Sequence, residues 1–368
     1  MRSTVCPAVA LLVMAACGAG ADGRAAGDSG RAGADSAATS DSGRGAFAPR
    51  LASDGMLIVV TMSPLTHALR MAADSFSARE AVRVVLDTLP SLAPLTRAPR
   101  EDADIIAVST TVLRTRFLAT DRASWSFPFA RNRVVLAWTD SSRRAADIDS
   151  ASWRRILARR TTRTGRADPQ VSALGVHTLL AMQLAEQHLA DGGLATRLGT
   201  APTYPSTDSL LAALLSNELD VIWTYESAAR AAGLRWLNLG NRVDLGDDAE
   251  ANSYGAASTL IVHVPPRDSA AARDSTAPAP VPDSLRVRGV PLRYALTIPR
   301  QSLNLAEAER FVRFLFSPDG QRILRGGAFD VIDPLVVVGT GVPTAVAVMA
   351  DSVAQLLPDS TRAPARRP

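Results

Sequence analysis

Three apolar runs early in the chain each end in a hydroxyl-bearing turn, and this repeat constrains the fold more than any other feature. Met56-Leu57-Ile58-Val59-Val60 runs into Thr61-Met62-Ser63-Pro64-Leu65-Thr66 and then into the helical pattern of His67 to Phe76. Val82 to Leu86 leads to Asp87-Thr88-Leu89-Pro90-Ser91, and Asp104 to Val108 ends at Ser109-Thr110-Thr111. Ser before Pro at the first helical position is a strong helix start. Strand, hydroxyl turn and helix in succession predict a parallel α/β sheet. In such sheets ligands sit beyond the carboxyl ends of the strands. Ser63, Ser109 and Thr110 fall there.

A second stretch, Thr164 to Gln183, repeats the idea with a longer helix. The turn-forming run Asp168 to Ser172 feeds an apolar periodic segment that includes Leu174, Leu179, Leu180 and Met182. Ser172 is placed as the N-cap, and the helix should run to about Leu189. Such a start presents N–H groups and the positive end of the helix dipole to whatever lies in front of it. Gly175 removes a side chain from the first turn, so the expectation is that an anion can approach the backbone there.

Composition narrows the function. The chain of 368 residues is long enough for two domains. Net charge is +4, every basic side chain except the four His is Arg, and Arg and Asp are interspersed with no basic stripe. Nucleic-acid binding is therefore not expected. No nucleophile elbow, phosphate loop, His-Glu-x-x-His or cysteine pair occurs, and the four His are scattered. Asp168, Ser172 and His177 lie too close on one element to form a hydrolytic triad. The expectation is a binding protein, with no catalytic residue, no cofactor and no free metal cation.

The N-terminus sets the expected compartment. Arg2 precedes the apolar run Val5 to Ala16, which ends in small residues before Cys17. The run is too short to span a bilayer, and its shape is that of a secretory signal with a lipidation site at Cys17. Residues 18–53, mostly Gly, Ala, Ser, Asp and Arg, cannot bury enough apolar surface to order and are expected to be a tether. The reading is residues 1–17 lipoprotein signal, 18–53 tether, and 358–368 frayed tail. Residues 265–284, rich in Pro, Ala, Ser and Asp, are expected to be a solvated surface insertion or hairpin tip, with no site there. Further apolar strands are expected at Asn132 to Thr139, Glu218 to Tyr225, Leu234 to Leu237 and Arg293 to Ile298. Amphipathic helices are expected at Leu210 to Leu215 and Leu305 to Phe316.

Several of these stretches, in order, resemble the tungstate/molybdate-binding proteins of ABC importers. The likeness covers roughly Met56 to Pro334. It rests on Met56 to Leu65, Asp104 to Thr111, Phe129 to Leu136, Gly165 to Thr178, Glu218 to Tyr225, Gly233 to Leu237, Val243 to Asp247 and Tyr294 to Pro299. The resemblance implies a type II periplasmic binding protein fold: two discontinuous α/β lobes of mixed sheets flanked by helices and joined by two hinge strands. Lobe one would be 54–133 plus 291–357, and lobe two 134–290, with hinge bending near Arg133 and Arg293.

The chain departs from that family at two carboxylates. Ser172 stands where the family has a metal-contacting Asp, and Thr224 where it has a Glu; Glu226, two positions on, is an alternative source. Without those carboxylates the resemblance implies a plain tetrahedral oxyanion held by hydrogen bonds, with less repulsion against a dianion. The candidate ligand residues are Ser63, Ser91 and Ser109 from lobe one, and Ser172, Gly175, Thr224 and Tyr225 from lobe two. The implied function is extracytoplasmic capture of an oxyanion, molybdate or tungstate favoured, and its delivery to an ABC permease driven by a separate ATPase. The protein is expected to be a lipid-anchored monomer in the periplasm or at the cell surface. Binding of sulfate or phosphate, or a ligand-sensing or interaction lipoprotein without a transport role, are the alternatives.

Overall fold

The computed structural model describes residues 56–89, 102–263 and 283–354. All of them belong to one compact unit, Pro49–Pro368. Cys17, Ser91, the segments expected as tether (18–53) and tail (358–368), and residues 265–282 of the expected insertion lie outside the described residues. Fifteen strands follow one another along the described chain. They are β1 (Met56–Met62), β2 (Arg83–Leu89), β3 (Ile105–Ser109), β4 (Trp125–Arg131), β5 (Val134–Trp138), β6 (Thr164–Ala167), β7 (Thr203–Tyr204) and β8 (Val221–Tyr225). Then come β9 (Arg235–Asn238), β10 (Ser258–His263), β11 (Asp283–Arg288), β12 (Arg293–Thr297), β13 (Asp330–Val331), β14 (Val336–Gly339) and β15 (Ser352–Ala354).

Two sheets carry two separate cores. The first sheet runs β15-β14-β4-β12-β3-β1-β2, with β13 also on β4, and the second runs β7-β6-β8-β5-β9. In the first, β1 is parallel to β2 and β3, whereas β12 is antiparallel to both β3 and β4. In the second, β6 is parallel to β7 and β8, whereas β5 is antiparallel to both β8 and β9. The reversed strand is in each case the first to follow a crossing between the lobes. The expected two-lobed α/β fold of mixed sheets joined by two crossing segments is thus the observed one.

Packing follows the apolar periodicity. In lobe one, the helices Thr66–Glu80 and Leu305–Phe316 bring Phe76 edge-on to Phe311, with ring centroids 5.2 Å apart. Phe316 covers Phe127 of β4 at 4.2 Å. In lobe two, Trp153 meets Trp223 of β8 edge-on at 5.9 Å, beside the helix Ala173–His188. A buried aromatic pair of this kind adds ~0.5–1.5 kcal/mol beyond its area.

The chain crosses between lobes at Asn132-Arg133 and again just before β12. The crossings touch: the Asn132 N–H donates to the Leu292 carbonyl at 2.9 Å, and the Leu292 N–H to the Leu245 carbonyl at 2.8 Å. Asn132 Nδ2 donates to Ser227 Oγ at 2.8 Å, so the buried amide is shared between crossing strand and lobe two. Arg133 faces Glu226 at 3.0 Å and Asp244 at 3.5 Å. Arg131 and Arg293 both pair with Asp248, Arg131 at 3.4 Å. Burial, opposed by the Gly246 N–H and Arg133, pushes the Asp244 carboxyl up to about 6.

Hairpin β10–β11 stands apart from both sheets. It brackets the segment expected as an insertion and leads directly into the second crossing.

Candidate binding cleft between the lobes

The parallel strands β1, β2 and β3 of lobe one and β6, β7 and β8 of lobe two end at one cleft, and side chains at or just after those ends line two cavities. The smaller, about 290 Å³, is walled by Ser63 and Thr88 from lobe one and by Ser172, Ser206, Thr207 and Tyr225 from lobe two. Leu89, Val171, Leu174 and two prolines complete it, and no charged side chain lines it among the described residues. The larger, about 560 Å³, holds Met62, Ser109 and Thr110 on the lobe-one side and Val176, His177 and Tyr225 on the other. Tyr225 borders both.

Local structure explains these placements. Ser63 and Pro64 open a short 3-10 turn directly after β1, and the helix Thr66–Glu80 follows. The Thr66 hydroxyl donates to Thr88 Oγ1 at 3.2 Å, tying the ends of β1 and β2 together. Ser172 is the N-cap residue of Ala173–His188 with extended backbone, yet its side chain makes no capping hydrogen bond. Its hydroxyl is therefore not spent on the helix, although the residue is only 4% exposed. Ser206 does cap its helix, Thr207–Leu215, by accepting from the Ser209 N–H at 3.1 Å. Two helices of lobe two thus begin at the smaller cavity, and their dipoles favour an anion there.

At the end of β8 the Tyr225 hydroxyl lies 2.8 Å from His177 Nδ1. Burial lowers the His177 imidazole to about 4, so the ring is neutral at physiological pH. Burial, with Tyr294 adding to it, raises the Tyr225 phenol well above its ordinary value. The pair is a neutral donor–acceptor couple at the floor of the cleft. Ser109 sits across from it, its hydroxyl accepting from the Val112 N–H at 3.4 Å and its own N–H directed at Met62 Sδ at 3.2 Å.

The expected ligand residues therefore separate into groups. Ser63, Ser172 and Tyr225 come together on the smaller cavity, whereas Ser109 lies on the larger one beyond Tyr225. Ser91 lies outside the described residues. Two expectations are corrected. Gly175 is buried and lines neither cavity; a Cβ there would meet Ala167 O, Asp168 C and Pro169 N at 2.5 Å. Its lack of a side chain lets the helix pack on the preceding loop and opens no path for an anion. Thr224 is fully buried, pairs with Val135 inside the sheet and lines neither cavity, because alternation along β8 sends only Tyr225 to the cleft. The alternative carboxylate, Glu226, is held by Arg133 at 3.0 Å and Arg230 at 3.6 Å and lines neither cavity.

Thr88, Ser206, Thr207 and His177 join the cleft without having been singled out as ligand residues. Ser206 and Thr207 carry a readable signal, a Pro-Ser-Thr-Asp helix start. Thr88 carries none beyond its position at a strand end. Among the described residues no group of three or more His, Cys, Asp or Glu is arranged to hold a metal ion, and no helix is long and apolar enough to cross a membrane.

The chain is similar to known solute-binding proteins. A solute-binding protein of Petrotoga mobilis whose function is uncharacterised is 28% identical over 275 residues, 74% of this chain and 77% of that one. The molybdate/tungstate-binding protein WtpA of Pyrococcus abyssi is 25% identical over 262 residues, 64% of this chain and 71% of that one. Among solved structures, the periplasmic molybdate-binding protein of Azotobacter vinelandii overlays with a TM-score of 0.46 at 14% identity, covering 75% of this chain and all of that one. The family of bacterial extracellular solute-binding proteins matches residues 57–329, nearly the whole two-lobed body. The chain belongs to that family.

Proposed function

We propose that the smaller cavity binds a tetrahedral oxyanion, with molybdate or tungstate favoured, for delivery to an ABC permease. One observation carries the reading: six hydroxyl-bearing residues drawn from both lobes face one small cavity that, among the described residues, no carboxylate or other charge lines. Hydroxyls and helix-start N–H groups can hold a dianion without a formal counter-charge. Each hydrogen bond to such a charged group is worth ~1.5–3 kcal/mol. A carboxylate in the wall would repel the ligand, and the two positions where the resembling family carries one are here Ser172 and Thr224. The cavity stands at the lower end of the ~300–1,000 Å³ of ordinary small-molecule sites, which suits a small anion. Ligand and lobes together would close the cleft by bending at Asn132-Arg133 and at the second crossing.

The fold and family are those of transport proteins that bind and release a solute outside the cytoplasm, and the function proposed needs no chemistry from the chain. Lipidation at Cys17 and the tether behind it would hold the two-lobed body near a membrane. The binding claim is tested by thermal shift of the purified chain with molybdate, tungstate, sulfate and phosphate. Stabilisation by RT ln(1 + [L]/Kd) gives ~2.7 kcal/mol at a hundredfold excess over Kd. If none of the four anions raises the melting temperature, the transport reading is lost.

A further inference from the structure

We propose that the larger cavity is a second ligand site, one that takes an organic anion with an apolar body. At about 560 Å³ it lies well inside the range of sites for drug-sized molecules, and a small oxyanion leaves most of it unfilled. Its walls also differ in kind from those of the hydroxyl cavity. Hairpin β10–β11 pairs Ile261 with Leu285 and Thr259 with Val287, so Ile261, Leu285 and Val287 share the face that lines the cavity. Val176, Val290 and Leu292 extend that apolar surface toward the crossing strand. Leu285 is 43% exposed, so the wall awaits cover.

The rim is cationic. Arg114 and Arg116 come from lobe one, and Arg286 and Arg288 from the hairpin. None of the four has a carboxylate partner among the described residues; Arg286 donates only to Ser258 Oγ, at 3.3 Å. Among the described residues no Asp or Glu lines the cavity. The fifth arginine of the wall, Arg293, is already paired with Asp248. Arg114 and Arg116, with no carboxylate partner among the described residues, can take a carboxylate or phosphate head by bidentate hydrogen bonding, whereas strand alternation turns Arg286 and Arg288 to the hairpin face of Ser258, opposite Leu285 and Val287. The apolar face selects against a bare inorganic ion, which would leave it wet. Neutral His177 and Tyr225 at the floor add polar contacts without adding charge.

The test is calorimetric titration of the full chain with phenyl phosphate, with inorganic phosphate and molybdate as references. One phenyl phosphate per chain should bind at least about tenfold more tightly than inorganic phosphate. Leu285→Glu puts a carboxylate into the apolar wall at a half-exposed position that the fold tolerates, and the unliganded melting temperature checks this. The substitution should weaken phenyl phosphate by at least about fivefold and leave the molybdate response as it was. Arg114→Glu should weaken it in the same direction through the rim. Phenyl phosphate binding no better than phosphate, or a loss below fivefold in Leu285→Glu, overturns the proposal. Silence toward molybdate with phenyl phosphate behaving as expected removes the oxyanion reading and leaves this one intact.

Discussion

The two lobes are built on one plan but meet the cleft with different chemistry. Ordered from the outer parallel strand, lobe one reads β2-β1-β3-β12-β4 and lobe two β7-β6-β8-β5-β9, with the fourth strand reversed in both. Equivalent strand ends therefore face each other. Ser63 after β1 corresponds to Ser172 after β6, the end of β2 at Thr88 to the turn after β7 at Ser206, and Ser109 closing β3 to Tyr225 closing β8. The first two pairs match in kind, hydroxyl for hydroxyl, and together they make the small cavity. The third does not match. Tyr225 is long enough to border both cavities, and Ser109 is left on the far side of it. Symmetric topology sets where ligand groups can sit, and the side chains at one asymmetric pair divide the space.

The largest effect should come from breaking one core and asking whether the other notices. Trp223 is fully buried against Trp153, and Trp223→Ala should cost ~3–5 kcal/mol. Because the two apolar clusters are separate, amide exchange should quicken in β5, β6 and β8 while β1 and β3 stay protected. Equal loss of protection in both sheets would show that the lobes are one cooperative core. Next, Ser63→Ala and Ser172→Ala should each weaken oxyanion binding by ~1.5–3 kcal/mol, measured by titration. A silent Ser63 beside a sensitive Ser172 would mean that the symmetry of position is not a symmetry of function.

A glycine sharpens the comparison further. Gly175→Ala drives a methyl group into the backbone of residues 167–169 and should cost ~1–3 kcal/mol of stability. It should also displace the loop bearing Ser172, so affinity falls with it. Chemical unfolding and ligand titration of the same variant read both effects.

The smallest effect concerns the floor. His177 has a folded value of about 4 against an ordinary 6.5, so the unfolded chain takes up a proton first as the pH falls. Stability is therefore lost as pH drops from about 6.5 toward 4, by ~1–2 kcal/mol between pH 7 and pH 5. His177→Gln should flatten that slope in urea unfolding. Asp244, raised to about 6, works in the opposite sense, since its contribution is lost as pH rises from 3.8 through 6. The difference between parent and His177→Gln isolates the imidazole. An unchanged difference between pH 5 and pH 7 would place the ring in water.

Much of this was readable from residues. The apolar runs and the helix Leu305–Phe316 follow from periodicity, and strand ends with hydroxyls pointed to the cleft; Ser63, expected as an N-cap, instead opens a 3-10 turn without capping it, and the helix begins at Thr66. What failed to read had physical causes. Gly175 looked like an opening for an anion, because glycine in a first turn means either close ligand approach or close backbone packing, and only the neighbouring loop decides. Thr224 and Tyr225 are adjacent, and a one-residue shift in strand phase exchanges which side chain reaches the cleft. Strands β10 and β11 flank a Pro-rich segment of loop composition where no site was expected, so their part in walling the larger cavity had no local signal. Thr88 has no local signal, since its role comes from the neighbouring strand.

The claim that the paired hydroxyls of the two lobes form the oxyanion seat is tested most directly by calorimetric titration of molybdate into the parent chain and into Ser63→Trp. That substitution fills the small cavity from an exposed position on lobe one. One molybdate per parent chain, and none in Ser63→Trp at the same melting temperature, is the predicted result. Unaltered molybdate binding in Ser63→Trp would contradict it.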